Sequence, residues 1–263
     1  MRLLHTELLK IRTTSMAWIM LALGVLMWIP ALLVARHNVS AIGLADPSTE
    51  TNLSAESAAQ DLYTAGTVPS LILVMLLGVL VMTGEFQHRT ATLTFLAHPH
   101  RVSVVLAKTA TVALLGICWS LLLLVLNLLV GVLPLRERLG GLWLADPDTV
   151  GSVLVSMLGY PLWAAIGIGF GVLVRSQVVA VIIALAVTFG GTIAMLVVFA
   201  LSQYLGAWVE DAVIGFPTVA TLVMISGSAP GEPPAWVGAA VLAGWGVLTA
   251  ALGSVRMNRR DIT

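Results

Sequence analysis

Six stretches of this chain run 23 residues or more without one Asp, Glu, Lys or Arg, and that spacing of charge decides what the chain can fold into. Between Arg12 and Arg36 lie 23 such residues, between Asp61 and Glu85 another 23, and between Lys108 and Arg136 there are 27. Asp148 to Arg175 encloses 26, Arg175 to Glu210 encloses 34, and Glu232 to Arg256 encloses 23. A helix that crosses the hydrocarbon of a bilayer needs about 20 such residues, and in lipid every backbone polar group must be satisfied within the fold. Composition agrees, with 10% of residues charged against about 25% in an average soluble domain. The expected fold is an all-α polytopic membrane protein, a single domain over residues 1–263. Its transmembrane helices are expected over 16–35, 66–84, 109–133, 150–174, 178–201 and 235–255.

Ala212 to Gly231 is also uncharged, but Pro217 near its start and the Gly-Ser-Ala-Pro-Gly end leave too short a helix to span. With six spans and both termini inside, ten of the thirteen basic residues fall in cytoplasmic segments, and only Arg36, Arg136 and Arg138 lie outside. That distribution obeys the rule that short cytoplasmic loops collect Lys and Arg. A seventh crossing would turn the basic end "RMNRR" outward. Residues 203–232 are therefore expected to form a re-entrant helical hairpin on the outer side, buried against protein. Residues 1–15, "MRLLHTELLKIRTTS", place Leu4, Leu8 and Ile11 at helical spacing among His5, Glu7, Lys10 and Arg12. This describes an amphipathic helix on the cytoplasmic surface, either a basic flank for the first span or a partner-contacting elbow. No cleavable leader is expected, because this segment lacks a short apolar core ending in small residues. Cys118 stands alone in the third stretch, so no disulfide forms within the chain, and a small buried packing residue is expected there.

Between the second and third stretches lies "GEFQHRTATLTFLAHPHR", Gly84 to Arg101. It is too long for a tight turn, and a helix from Glu85 to Ala97 would run about 20 Å along the membrane surface before Pro99 ends it. Arg101 and Lys108 follow, where long basic side chains reach lipid headgroups. His98 and His100 are separated by proline and have no Cys or carboxylate cluster beside them in sequence, so no metal site is expected. No Gly-x-x-x-x-Gly-Lys-Ser/Thr phosphate loop and no Gly-x-Ser-x-Gly elbow occurs, which excludes an ATPase of that type and an esterase-like site. Catalytic and cofactor-binding residues are thus expected to be absent.

Inside the apolar stretches, Gly167 and Gly171 stand four apart, a spacing that lets helices approach closely in a bundle or across a dimer. Asn127 is the one amide deep in the third stretch, a hydrogen-bonding partner for a neighbouring helix or a lining residue of a pathway. No charge lies mid-stretch, which disfavours a proton- or sodium-driven carrier. Trp18, Trp28, Trp143, Trp163, Trp208 and Trp236 are placed toward span ends or outer loops, where indole rings settle at the headgroup level. Trp119 and Trp245 lie deeper, as packing residues.

The order Gly84, Glu85, Phe86, His88, Thr90, Thr92, Phe95, Leu96, Pro99, Arg101 and Lys108 resembles the first cytoplasmic loop of type-2 permeases of ATP-binding-cassette (ABC) exporters, notably the actinobacterial branch. The start "LLHTELLKIRTT", the six-span layout, the broken hairpin and the basic end "RMNRRDIT" are similar too. Where many relatives have Gly-Thr, this chain has Arg89-Thr90. The resemblance implies that residues 85–101 form a coupling helix that docks into a groove of a separate ATP-binding subunit, with ATP and Mg bound there and not on this chain. Phe86, Phe95 and Leu96 would anchor it, Glu85, His88 and Arg89 would orient it, and Gln87 and Thr90 would bind the same subunit. It further implies two permease copies, identical or different, in a bacterial plasma membrane, with no nucleic acid involved. A membrane-anchored scaffold or immunity protein and an ATP-independent carrier stay open beside it.

Overall fold

A computed structural model describes residues 2–41, 54–87, 101–174, 176–201, 209, 212–226 and 233–259. The described residues are overwhelmingly helical and contain no strand. Helix α1 spans Arg2–Thr13, α2 Ser15–Ala41, α3 Ala55–Tyr63, α4 Thr67–Gln87 and α5 Arg101–Leu126. A π-helical segment, Asn127–Val132, leads into α6, Leu133–Leu139; then come α7 Pro147–Leu173, α8 Gln177–Leu201, α9 Pro217–Ser226 and α10 Ala235–Arg259. Among the described residues, six helical stretches are long and apolar enough to cross a membrane: Ser15–Ser40, Ala55–Gln87, Val102–Leu139, Pro147–Leu173, Gln177–Leu201 and Ala235–Gly253. Helices α2, α4 and α5 run past the charged residues that bound their uncharged stretches, because charge marks where hydrocarbon ends, whereas backbone hydrogen bonding continues past it.

At the centre of the bundle, α7 packs chiefly against α4 on one side and α10 on the other. Its glycines allow this. Gly167 lies against the Met75 backbone and Gly171 against the Met82 side chain of α4, whereas Gly169 faces Thr249 of α10. A Cβ at Gly167 would collide with the Met75 carbonyl, so the near approach of the two backbones depends on its absence. This α4–α7 pair carries most of the main core, including Leu71, Met75, Val79, Met82, Tyr160, Trp163 and Ile166.

A second, smaller core joins α2, α3 and the π segment through Trp28, Leu32, Ala58, Leu62 and Val132. Ser54 caps α3 by accepting from Ser57 N–H at 3.0 Å. The chain then turns through Thr64, Ala65 and Gly66 into α4, with Gly66 at φ +80° and pressed against Trp28. That turn frees the Tyr63 and Ala65 carbonyls, and Asn127 Nδ2 donates to both at 3.0 Å. Pro134, lacking an N–H, likewise leaves the Val130 carbonyl without its helical donor. Arg36 Nη1 donates to that carbonyl at 2.6 Å.

Short helix α9 runs antiparallel to α10. Gly238 meets the backbone at Ala220 and Met224, and Trp245 Nε1 donates to Gly215 O at 2.8 Å. Trp245 is ten residues into α10, so α9 begins about 15 Å along the bundle from the Ala235 end. Thr218 Oγ1 donates to Thr188 O at 2.7 Å, and Phe216 packs on Gly191, both at mid-length of α8. Residues 203–208, 210–211 and 227–232 of the expected hairpin lie outside the described residues.

Three placements differ from expectation. Trp163 is buried in the interior and its Nε1 donates to Thr221 Oγ1 at 2.9 Å, because α9 brings a hydroxyl deep into the bundle. Trp28 sits at mid-length of α2, buried, and donates to Asn127 Oδ1 at 2.7 Å. Cys118 is exposed on α5; a lipid-facing helix side is as apolar as a buried one, so hydropathy does not separate them.

Candidate functional site

Segments far apart in sequence meet in a ring of four charges. Glu7 and Lys10, one turn apart, face inward from α1; Glu85 lies in the last turn of α4, and Lys108 lies two turns into α5. Lys108 Nζ donates to Glu7 Oε2 at 2.6 Å and to Glu85 Oε1 at 2.7 Å. Lys10 Nζ donates to Glu7 Oε1 at 2.9 Å and to Glu85 Oε1 at 3.2 Å. Each lysine thus bridges both acids. The Lys108 side chain is 1% exposed and those of Glu7 and Glu85 are 4% and 9%, while that of Lys10 is 48% exposed.

The ring holds two positive and two negative groups, so its formal charge is zero. That balance is what permits burial, since an unpaired ammonium or carboxylate loses several kcal/mol of hydration when taken out of water. Glu85 at the C-terminal end of α4 stands against the helix dipole, and the two ammonium groups offset that cost. Burial pushes the Glu7 carboxyl upward, but the hydrogen bonds and charges of Lys108 and Lys10 outweigh it and hold Glu7 below its ordinary value of 4.5. For Lys10, burial pulls downward, and the two carboxylates Glu7 and Glu85 hold the ammonium above its ordinary 10.5.

The ring stands at both roots of residues 88–100. Glu85 closes α4 just before them, and Lys108 belongs to the first turns of α5 just after. Glu85 is held inside the chain by Lys10 and Lys108. Phe86 is half-buried against the main core and Gln87 is exposed at the end of α4. His88, Arg89, Thr90, Phe95 and Leu96 lie outside the described residues, as do His98 and His100. Lys108 does not reach for headgroups as expected. Its stem runs inward to the two carboxylates, which neutralise it more completely than an interface does.

The ring is hidden from sequence reasoning because the spacing of Glu7 and Lys10 reads as a surface helix and the context of Lys108 as an interface. A signal was present, since Glu7 and Lys10 share a helix face.

The other expected residues fall elsewhere. Gly167 and Gly171 are used within the chain, against α4. Asn127 is 1% exposed, with its amide oxygen on Trp28 and its amide nitrogen on two carbonyls, and it ties α2, the end of α3 with the turn after it, and the π segment together. Glu56, Asp146 and Asp148 bring carboxylate oxygens within 4.8 Å of one another. Asp146 is committed there to capping α7 through Thr149 N–H at 2.8 Å.

Residues 3–191, more than two thirds of the chain, match the model of a family described as "ABC-2 family transporter protein". None of the curated proteins compared with the chain is significantly similar to it.

Proposed function

The chain belongs to the ABC-2 transporter family and is a permease subunit of an ABC transporter, and from that premise we propose that it is an exporter permease worked by ATP hydrolysis on a separate subunit. In this reading residues 85–101 form the coupling element, with Phe86, Phe95 and Leu96 as anchors in a groove of the ATP-binding subunit. Glu85 holds the root of that element from inside the chain, and His88, Arg89 and Thr90 orient its outer face. ATP and Mg bind on the partner. Two permease copies and two ATP-binding subunits assemble in a bacterial plasma membrane, with both termini and the loop on the cytoplasmic side, as the distribution of basic residues favours.

The observation that supports coupling most directly is the four-charge ring. A displacement imposed on the loop must pass into α4 and α5, whose ends Glu85 and Lys108 bind to each other and to α1. Helix α1 therefore moves with the loop roots as one body, and a docking element needs that stiffness to shift a bundle without bending at its own base.

Purification from native membranes in mild detergent, followed by mass spectrometry and stoichiometry, tests the reading. The expected result is an ATP-binding subunit present one to one with this chain and lost from a Phe86→Ser, Phe95→Ser variant that still inserts normally. Recovery of the permease alone, or with a partner lacking ATPase activity, would overturn it.

A further inference from the structure

Beside the ring lies a cavity of about 420 Å³, bounded by α1, the start of α2, the end of α4 and the start of α8. Its volume falls in the range of small-ligand sites. One wall is apolar, with Met16, Ala17, Leu80 and Val81, and the other carries the ring residues together with Gln177. An apolar wall beside a charged one suits an amphiphile.

We propose that this cavity holds the headgroup and upper acyl chain of a phospholipid whose headgroup is zwitterionic and ends in a primary ammonium. Position supplies the first reason. The cavity sits where the apolar helices α2, α4 and α8 begin or end, beside amphipathic α1, so it lies at the level of bilayer headgroups. Charge complementarity supplies the second. The ring presents two carboxylates and two ammonium groups at zero formal charge. A net-anionic headgroup meets both carboxylates and a net-cationic amphiphile both lysines, whereas a zwitterion places each of its charges beside an opposite one.

Hydrogen-bond capacity supplies the third. Among the described residues Lys10 Nζ donates two of its three N–H groups, to Glu7 and Glu85, which leaves a third for a phosphate oxygen. The half-buried Gln177 amide provides a neutral donor on the same cavity. Carboxylate oxygens accept from a primary ammonium but find no N–H on a quaternary one. The site therefore selects ethanolamine-type over choline-type headgroups.

The test is native mass spectrometry of the full chain, with its partners retained, from detergent micelles doped equally with phosphatidylethanolamine, phosphatidylcholine and phosphatidylglycerol. One phosphatidylethanolamine per permease should survive activation, preferred over phosphatidylcholine by about tenfold, the factor that a charge-assisted hydrogen bond supports. Ala17→Phe, which fills the apolar wall and leaves the four charges intact, should abolish the preference, and Gln177→Leu should weaken it several-fold. Equal retention of the three lipids, preference for phosphatidylglycerol, or an unchanged preference in folded Ala17→Phe and Gln177→Leu would overturn the assignment.

Discussion

Lys108 Nζ lies 2.6 Å from Glu7 Oε2, across 101 positions of sequence, in a site where both side chains are almost wholly buried. This ion pair fastens the N-terminal helix to the third membrane-crossing stretch, and through Glu85 to the second. Removing one member leaves an uncompensated buried charge, which costs about 3–5 kcal/mol. Lys108→Met should therefore lower thermal stability sharply in a detergent melting assay. The double variant Glu7→Gln, Lys108→Met retains the balanced Lys10–Glu85 pair and should lose less than the sum of its single variants.

The pH profile follows from the same ring. Glu7 titrates in the fold below its ordinary 4.5, so its stabilisation is complete above about pH 4.5 and is lost as pH falls through the lower folded value. Lys10 titrates above its ordinary 10.5, so its contribution is complete below that pH and fades as pH rises through the higher folded value. Melting temperature should be flat between these limits as far as these two groups govern it. The Glu7→Gln variant should lose part of the acid limb; an acid limb identical to that of the unsubstituted chain would remove Glu7 from the account.

Asn127 bonds an indole N–H and two carbonyls that the surrounding helices leave without donors. Asn127→Leu strands all three, each costing about 1–3 kcal/mol when buried. Trp28→Phe strands only one acceptor, although it also loses packing, and should cost less. Denaturation in mixed micelles would rank the two, and a mild Asn127→Leu would show that water replaces the amide.

Two glycines of one helix should behave oppositely. Gly167→Ala places a methyl group against the Met75 carbonyl and should destabilise by about 1–3 kcal/mol or more as α4 and α7 part. Gly151→Ala, in the first turns of α7 with open space around it, should be neutral or stabilising by up to about 1 kcal/mol. Yield of monodisperse protein and melting temperature measure both.

The number of membrane-crossing helices was legible because burying an unpaired charge in lipid is costly and charges therefore mark the ends. Which side of each helix faces protein was not legible. In water that side is the apolar one, but here both sides are apolar, so Cys118 and Trp163 exchanged their expected surroundings. Gly167 and Gly171 gave a better signal, since only close backbone approach calls for small residues at that spacing. The ring escaped notice for a related reason. Its lysines have the sequence context of interfacial flanks, and their carboxylate partners are revealed only when α1 folds back over the ends of α4 and α5. The π segment was equally hidden, for it depends on Pro134 together with a guanidinium that arrives from α2.

The neutrality of the ring reaches beyond its own stability. A single charge moved across a membrane potential of 100 mV gains or loses about 2.3 kcal/mol. Two ammonium and two carboxylate groups that travel together carry no net current. Displacement of the ring itself is therefore electrically silent, and any pull of the membrane voltage on α1 and the loop roots falls on Arg2, Arg12 and Arg101 outside it.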